Sequence, residues 1–135
     1  MAEPAQQNLQ TARRYLRALE QFATGDALAE FFDPTVVHEE FPNRIFDKGM
    51  RRDLAALLSG AERGKQILVS QSFEVHNAVA AGQHVAIELD WTGTLAVPLG
   101  TLPAGAQMRA HLGVFIEFEN GKIKAQRNYD CYEPW

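Results

Sequence analysis

The chain has 135 residues, 46% hydrophobic and 22% charged, a length and composition suited to one folded domain spanning 1–135. Its formal net charge is −4, and no cluster of Lys and Arg offers the phosphate contacts that nucleic-acid binding needs. No apolar run approaches the ~18 residues of a membrane helix, and the opening MAEPAQQNLQ lacks the basic-then-apolar pattern of a signal peptide.

Cys131 is the sole cysteine, so no intrachain disulfide can form, and a cytoplasmic location is expected. There is no CxxC, HExxH, P-loop or GxGxxG. Neither a metal nor a nucleotide cofactor is therefore expected.

Residues 8–23 predict a helix. Ala12, Tyr15, Leu16, Leu19, Phe22 and Ala23 recur at three- and four-residue steps and form one apolar stripe. Asp26 is a candidate cap for a short second helix, ALAEFF, which Asp33-Pro34 would stop. Val36–Phe41 reads as the first strand. A third helix is expected near 48–59, capped by Asp47, with Met50, Leu54, Leu57 and Leu58 on its buried face.

The period then changes from about four to two. Residues 66–79 form a strand that turns at 80–83. Residues 84–95 alternate, with Val85, Ile87, Leu89 and Trp91 on one face. A Pro/Gly loop, AVPLGTLPAGA, leads to a strand at 107–118. Asn120-Gly121 marks a two-residue hairpin into the last strand, 122–132. Helices early and strands late indicate an α+β fold of order α-α-β-α-β-β-β-β. A cone-shaped, curved, mixed or antiparallel sheet would wrap the three helices and leave an internal pocket.

The segments RRYLRAL, ATGDALAEFFDPTVVHEEFPN, FEFENGKI and RNYDCYEPW resemble the SnoaL-like branch of the nuclear transport factor 2-like superfamily. That group includes ketosteroid isomerases, polyketide cyclases, scytalone dehydratase and limonene epoxide hydrolase. The resemblance implies a cone-shaped α+β barrel, often dimeric through its outer sheet face. It implies an oxyanion-donor position for Tyr15 and a proton-transfer position for Glu40. The cyclase pattern R-x-Y-x-D finds Arg127 and Tyr129 here, but Cys131 stands at its Asp position and Asp130 one residue earlier.

The stretch VVHEEFPNR carries the chemistry most directly. His38 and Glu40 stand two apart on a strand and share a face. A carboxyl group in an apolar cavity is displaced toward neutrality and can move a proton, and a neighbouring imidazole can share the work. In the last strand, simple alternation from the hairpin puts Ala125, Arg127, Tyr129 and Cys131 inside. A bulge would bring Asn128 and Asp130 inward instead. A buried Arg127 would need Glu40 or Asp130 as partner.

The expected catalytic set is Glu40, His38, Tyr15 and Asp130, with Trp91, Arg127, Asn128 and Tyr129 as ligand contacts. Two functions fit this set. One is a cofactor-free acid/base enzyme of isomerase, cyclase or dehydratase type, acting on a small apolar carbonyl or polyketide-like compound. The other is a non-catalytic ligand-binding or dimerisation domain. The expected partners are a small apolar ligand and a second copy of the chain. His111, with Arg109 and Glu117, is expected on the outer sheet face. Cys131 is expected as a buried, inert thiol. Trp135 is expected to dock its indole on an apolar surface.

Overall fold

The computed structural model describes residues 3–135. The elements are α1 (Pro4–Glu20), α2 (Gly25–Ala29), β1 (Phe32–Glu40), β2 (Met50–Arg52), α3 (Leu54–Ile67), β3 (Leu68–Ala81), β4 (His84–Leu95), β5 (Gln107–Glu119) and β6 (Lys122–Tyr132). The six strands form one sheet of order β2-β1-β6-β5-β4-β3. All pairs are antiparallel except β1 with β6, which run parallel. The α+β cone is as expected, but β2 and β3 remain free edges. The sheet is curved and unclosed, not a barrel.

The first helix starts and ends earlier than 8–23. Pro4 occupies its first turn, where a missing N–H costs nothing. Its apolar stripe is as expected, with Ala12, Tyr15 and Leu16 buried. The second helix spans only Gly25–Ala29, follows Thr24 rather than Asp26, and leaves Phe32 to the first strand. Asp33-Pro34 does not end an element; it lies inside β1. There the Asp33 carboxylate accepts from Thr35 N–H (2.8 Å) and Oγ1 (2.7 Å), and the pairing with β6 shifts register between Phe32 and Val37.

The largest correction concerns residues 48–59. Met50–Arg52 form an edge strand, and Met50 is exposed. The helix begins only at Leu54, because Asp53 rather than Asp47 caps it, accepting from Ala56 N–H at 2.9 Å. It runs through Ser59-Gly60 to Ile67, with Leu54, Leu57, Leu58 and Ala61 packed against the core.

The core lies between α1 and the concave face of the sheet, where Val85, Ile87 and Leu89 of β4 meet Val114, Ile116 and Phe118 of β5. Asn120 and Gly121 both adopt left-handed φ angles, 51° and 77°, as a two-residue hairpin of matching twist requires. Just beyond it, Phe118 pairs with Ile123 but Glu117 pairs with Ala125, so Lys124 is an extra residue in β6. This bulge reverses the alternation. Gln126, Asn128, Asp130 and Tyr132 share rows with the inward residues Ile116, Val114, Leu112 and Ala110. Arg127, Tyr129 and Cys131 face outward, correcting the placement that simple alternation gives.

Candidate active site

Four rows on the concave face position the polar groups. From the base of the cone upward they are Val85–Ile116–Gln126, Ile87–Val114–Asn128, Leu89–Leu112–Asp130 and Trp91–Ala110–Tyr132. On the other side of β6, parallel pairing aligns His38 with Gln126 and Glu40 with Asn128. His38 and Glu40 thus share a face of β1, and Glu40 faces the level at which Asp130 enters. The edge strand β2 brings in Arg52, which pairs with His38 in the ladder.

Glu40 and Arg52 form a short ion pair, Oε2 to Nη1 at 2.6 Å, with both side chains only 14% exposed. The Arg52 guanidinium also lies over the Phe46 ring, 5.2 Å from its centroid. Glu40 and Asp130 are within hydrogen-bonding reach of each other. Burial works against the Glu40 carboxylate, but the Asp130 hydrogen bond and the Arg52 guanidinium outweigh it and hold Glu40 below the usual carboxylate range. Asp130 goes the other way. Burial, then the hydrogen bond and charge of Glu40, push its carboxyl up to about 8. The two acids therefore titrate as a coupled pair, with Asp130 pushed toward its protonated form and Glu40 toward its ionised one.

Beneath this pair His38 is buried, and burial lowers its pKa to about 4, so the imidazole is neutral. Its Nδ1 and Asp130 Oδ1 are buried atoms without a protein hydrogen-bond partner. Native interiors seldom leave such atoms unpaired. Deeper still, Tyr15 OH donates to Gln126 Oε1 (3.0 Å) and Gln126 Nε2 donates to Asn128 Oδ1 (3.0 Å). This chain ties the first helix to the last strand. The Tyr15 phenol, its pKa raised by burial, is spent on Gln126 rather than aimed at open space.

The structure thus brings Glu40, Asp130, His38 and Asn128 into one strip, with Tyr15 at its foot. Trp91 stands at the upper rim of the core. Its Nε1 donates to Gln71 Oε1 (3.0 Å), and its ring meets Tyr132 edge-on over the small Ala110. Arg127 and Tyr129 are not in the strip. Arg127 pairs across the outer face with Glu117 at 2.7 Å, not with Glu40 or Asp130. Tyr129 stacks on Phe41 outside, with centroids 4.7 Å apart. Cys131 is exposed rather than buried. His111 is on the outer face as expected, its Nδ1 2.7 Å from Asp90 Oδ1.

Three contributors escaped the sequence reading: Arg52, Gln126 and Tyr132. Asp53 followed directly by Leu-Ala-Ala-Leu was the available signal that a helix starts after Arg52, not before it. Gln126 and Tyr132 needed only the bulge at Lys124, whose position no residue type announces. Among the described residues no three His, Cys, Asp or Glu side chains converge as a metal ion would require. Among the described residues no helix is long and apolar enough to cross a membrane.

A family model described as a SnoaL-like domain matches residues 12–126. No curated protein matches the sequence. Among solved structures, the fold is similar to AclR, a proposed hydroxylase from Streptomyces galilaeus, at 18% identity and TM-score 0.78, covering 96% of this chain and 82% of that one. It is similar to IdmH, a proposed polyketide cyclase from Streptomyces antibioticus, at 20% identity and TM-score 0.74, covering 92% and 91%. An M. tuberculosis LEH-like epoxide hydrolase aligns at 16% identity and TM-score 0.73, covering 93% and 84%.

Proposed function

The chain belongs to the SnoaL-like domain family, and from that premise we propose that it is a cofactor-free acid/base enzyme acting on a small, largely apolar carbonyl compound. One observation carries this reading: two facing carboxyl groups whose surroundings push their proton affinities apart, Glu40 downward and Asp130 upward. Such a pair supplies a base and an acid at one pH. Ionised Glu40 removes a proton from the carbon next to a carbonyl. Protonated Asp130 delivers one to the carbonyl oxygen or to a departing hydroxyl. The substrate loses one proton and gains one, as isomerisation, aldol-type cyclisation and dehydration all require.

Arg52 favours the ionised form of Glu40, and the hydrogen bond and charge of Glu40 in turn raise the proton affinity of Asp130. His38 Nδ1 and Asp130 Oδ1, buried without a protein partner, mark the strip as the polar part of the interior. Tyr15 and Gln126 act as positioning residues by fixing Asn128 and the register of the strip. Trp91 and Tyr132 supply an aromatic wall. The acid/base contribution itself is worth roughly 10²–10⁴-fold in rate.

The test uses a panel of ketones and hydroxyaryl ketones, with thermal-shift binding and product analysis run in parallel. For a compound the wild type converts, Glu40→Gln and Asp130→Asn should each retain the thermal shift and lose ~10²-fold or more in kcat. Undiminished turnover in both variants would reject the assignment. Binding without turnover in the wild type across the panel would favour a ligand-binding domain.

A further inference from the structure

The segment after β6 first continues the sheet and then brings Trp135 against Tyr132. Glu133 N–H donates to the Arg109 carbonyl (2.8 Å), extending the pairing one residue beyond β6. Pro134 has no N–H to continue it. The Trp135 ring then meets Tyr132 edge-on, with centroids 5.8 Å apart and planes at 88°, as Tyr132 in turn meets Trp91 at 6.2 Å and 81°. Arg44 holds Trp135 at two points, ring and backbone. Its guanidinium carbon lies 4.3 Å from the ring centroid, and its Nη2 donates to the Trp135 carbonyl at 2.5 Å. The loop between β4 and β5 closes the third side: a Cβ added at Gly100 would lie 3.9 Å from Trp135 Nε1.

Three segments distant in sequence therefore meet at one side chain. Tyr132, the middle ring, faces the same way as Asp130 two residues before it and is close enough to feel the charges of Asp130 and Glu40. The series Trp91–Tyr132–Trp135 thus runs from the core, past the carboxyl pair, to the surface. Trp91 and Tyr132 are carried on strands whose backbones are fixed by ladder pairing. Trp135 is carried on neither strand nor helix. It is held by ring contacts, one stacked guanidinium and one hydrogen bond from an exposed Arg44. It is the wall element that can leave without disturbing the sheet.

We propose that Trp135, latched by Arg44, is the gate of the carboxyl site: its release admits the substrate, and its return excludes water and selects flat apolar molecules that fit against Tyr132. What lies behind the gate rests on the acid/base reading above; the gate itself rests on the contacts around the indole. Its test needs no substrate, so the two ideas fail separately.

The chain has two tryptophans, Trp91 and Trp135, so Trp135→Phe leaves Trp91 as the sole emitter while keeping an aromatic ring for Arg44 to hold. Acrylamide quenching of Trp91 is then measured in Trp135→Phe, in Trp135→Phe with Arg44→Ala, and in Trp135→Ala. The single Phe variant should stay poorly quenched, and both latch-breaking variants should rise about threefold, as when a locally held segment opens. Arg44→Lys in the Phe background, which keeps the charge but loses the planar fork, should fall between. Thermal melting monitored by far-ultraviolet circular dichroism should stay within a few degrees across the set. Equal quenching of Trp91 with and without Arg44 and the ring would overturn the gate, as would a rise that tracks loss of the fold.

Discussion

Asp130 and Glu40 carry the same functional group and behave oppositely because their neighbours differ. Asp130 shares its row with Leu89 and Leu112, while Glu40 has the Arg52 guanidinium at 2.6 Å. This difference has a sign in stability. The folded chain holds the Asp130 proton up to about pH 8, whereas the ordinary value is 3.8, so folding is favoured at low pH and that gain is lost as pH rises toward 8. His38 does the reverse. Its folded value is about 4 against an ordinary 6.5, so its contribution is present above 6.5 and lost as pH falls toward 4. Between those values the two slopes oppose each other in the wild type. Relative to wild type, the melting temperature of Asp130→Asn should therefore climb with pH, and that of His38→Phe should drop with pH over the window where His38 titrates. Parallel curves for all three proteins would contradict the pairing. The sequence showed His38 and Glu40 clearly, because their spacing on a strand needs no tertiary information. It could not show Arg52 as their partner, since that contact depends on an edge strand closing over β1.

At the scale of elements, long alternating segments were legible and short ones were not. Residues 84–95 and 122–132 appear with the bounds that their patterns predict, and 107–119 extends only one residue further. A three-residue edge strand such as Met50–Arg52 has too few positions for a period to register, so its residues merged with the helix that follows. The last strand was legible as a strand but not in its facing, because one extra residue decides it. Close packing within β4 supplies a further expectation. A Cβ at Gly93 would lie 2.5 Å from Trp91 Cζ2, so the glycine leaves room for the indole to fold back over its own strand. Gly93→Ala should cost ~1–3 kcal/mol, the usual range for overpacking, read as a lower urea midpoint with unchanged slope. A neutral substitution would mean that the ring does not rest there.

On the scale of the whole molecule, the convex face poses the remaining question. Tyr129, Phe115 and Val79 are exposed there, Tyr129 and Phe115 meet edge-on, and a shallow groove of about 610 Å³ runs past His111 and Gly113. We take this face to be where two copies of the chain associate. Sedimentation of the wild type should give twice the monomer mass, and Tyr129→Glu should halve it. A wild type that stays monomeric at high micromolar concentration would refute this arrangement. The outward set owes its position to Lys124. Removing that single residue would change the parity of everything after it. Arg127 and Tyr129 would be driven into the apolar interior, and Asp130 would be turned out to the convex face. One codon therefore separates a chain with its carboxyl pair on the concave side from one with a buried cation and an acid on the convex face. Of all positions in the hairpin, this exposed lysine should be the least tolerant of deletion and among the most tolerant of substitution.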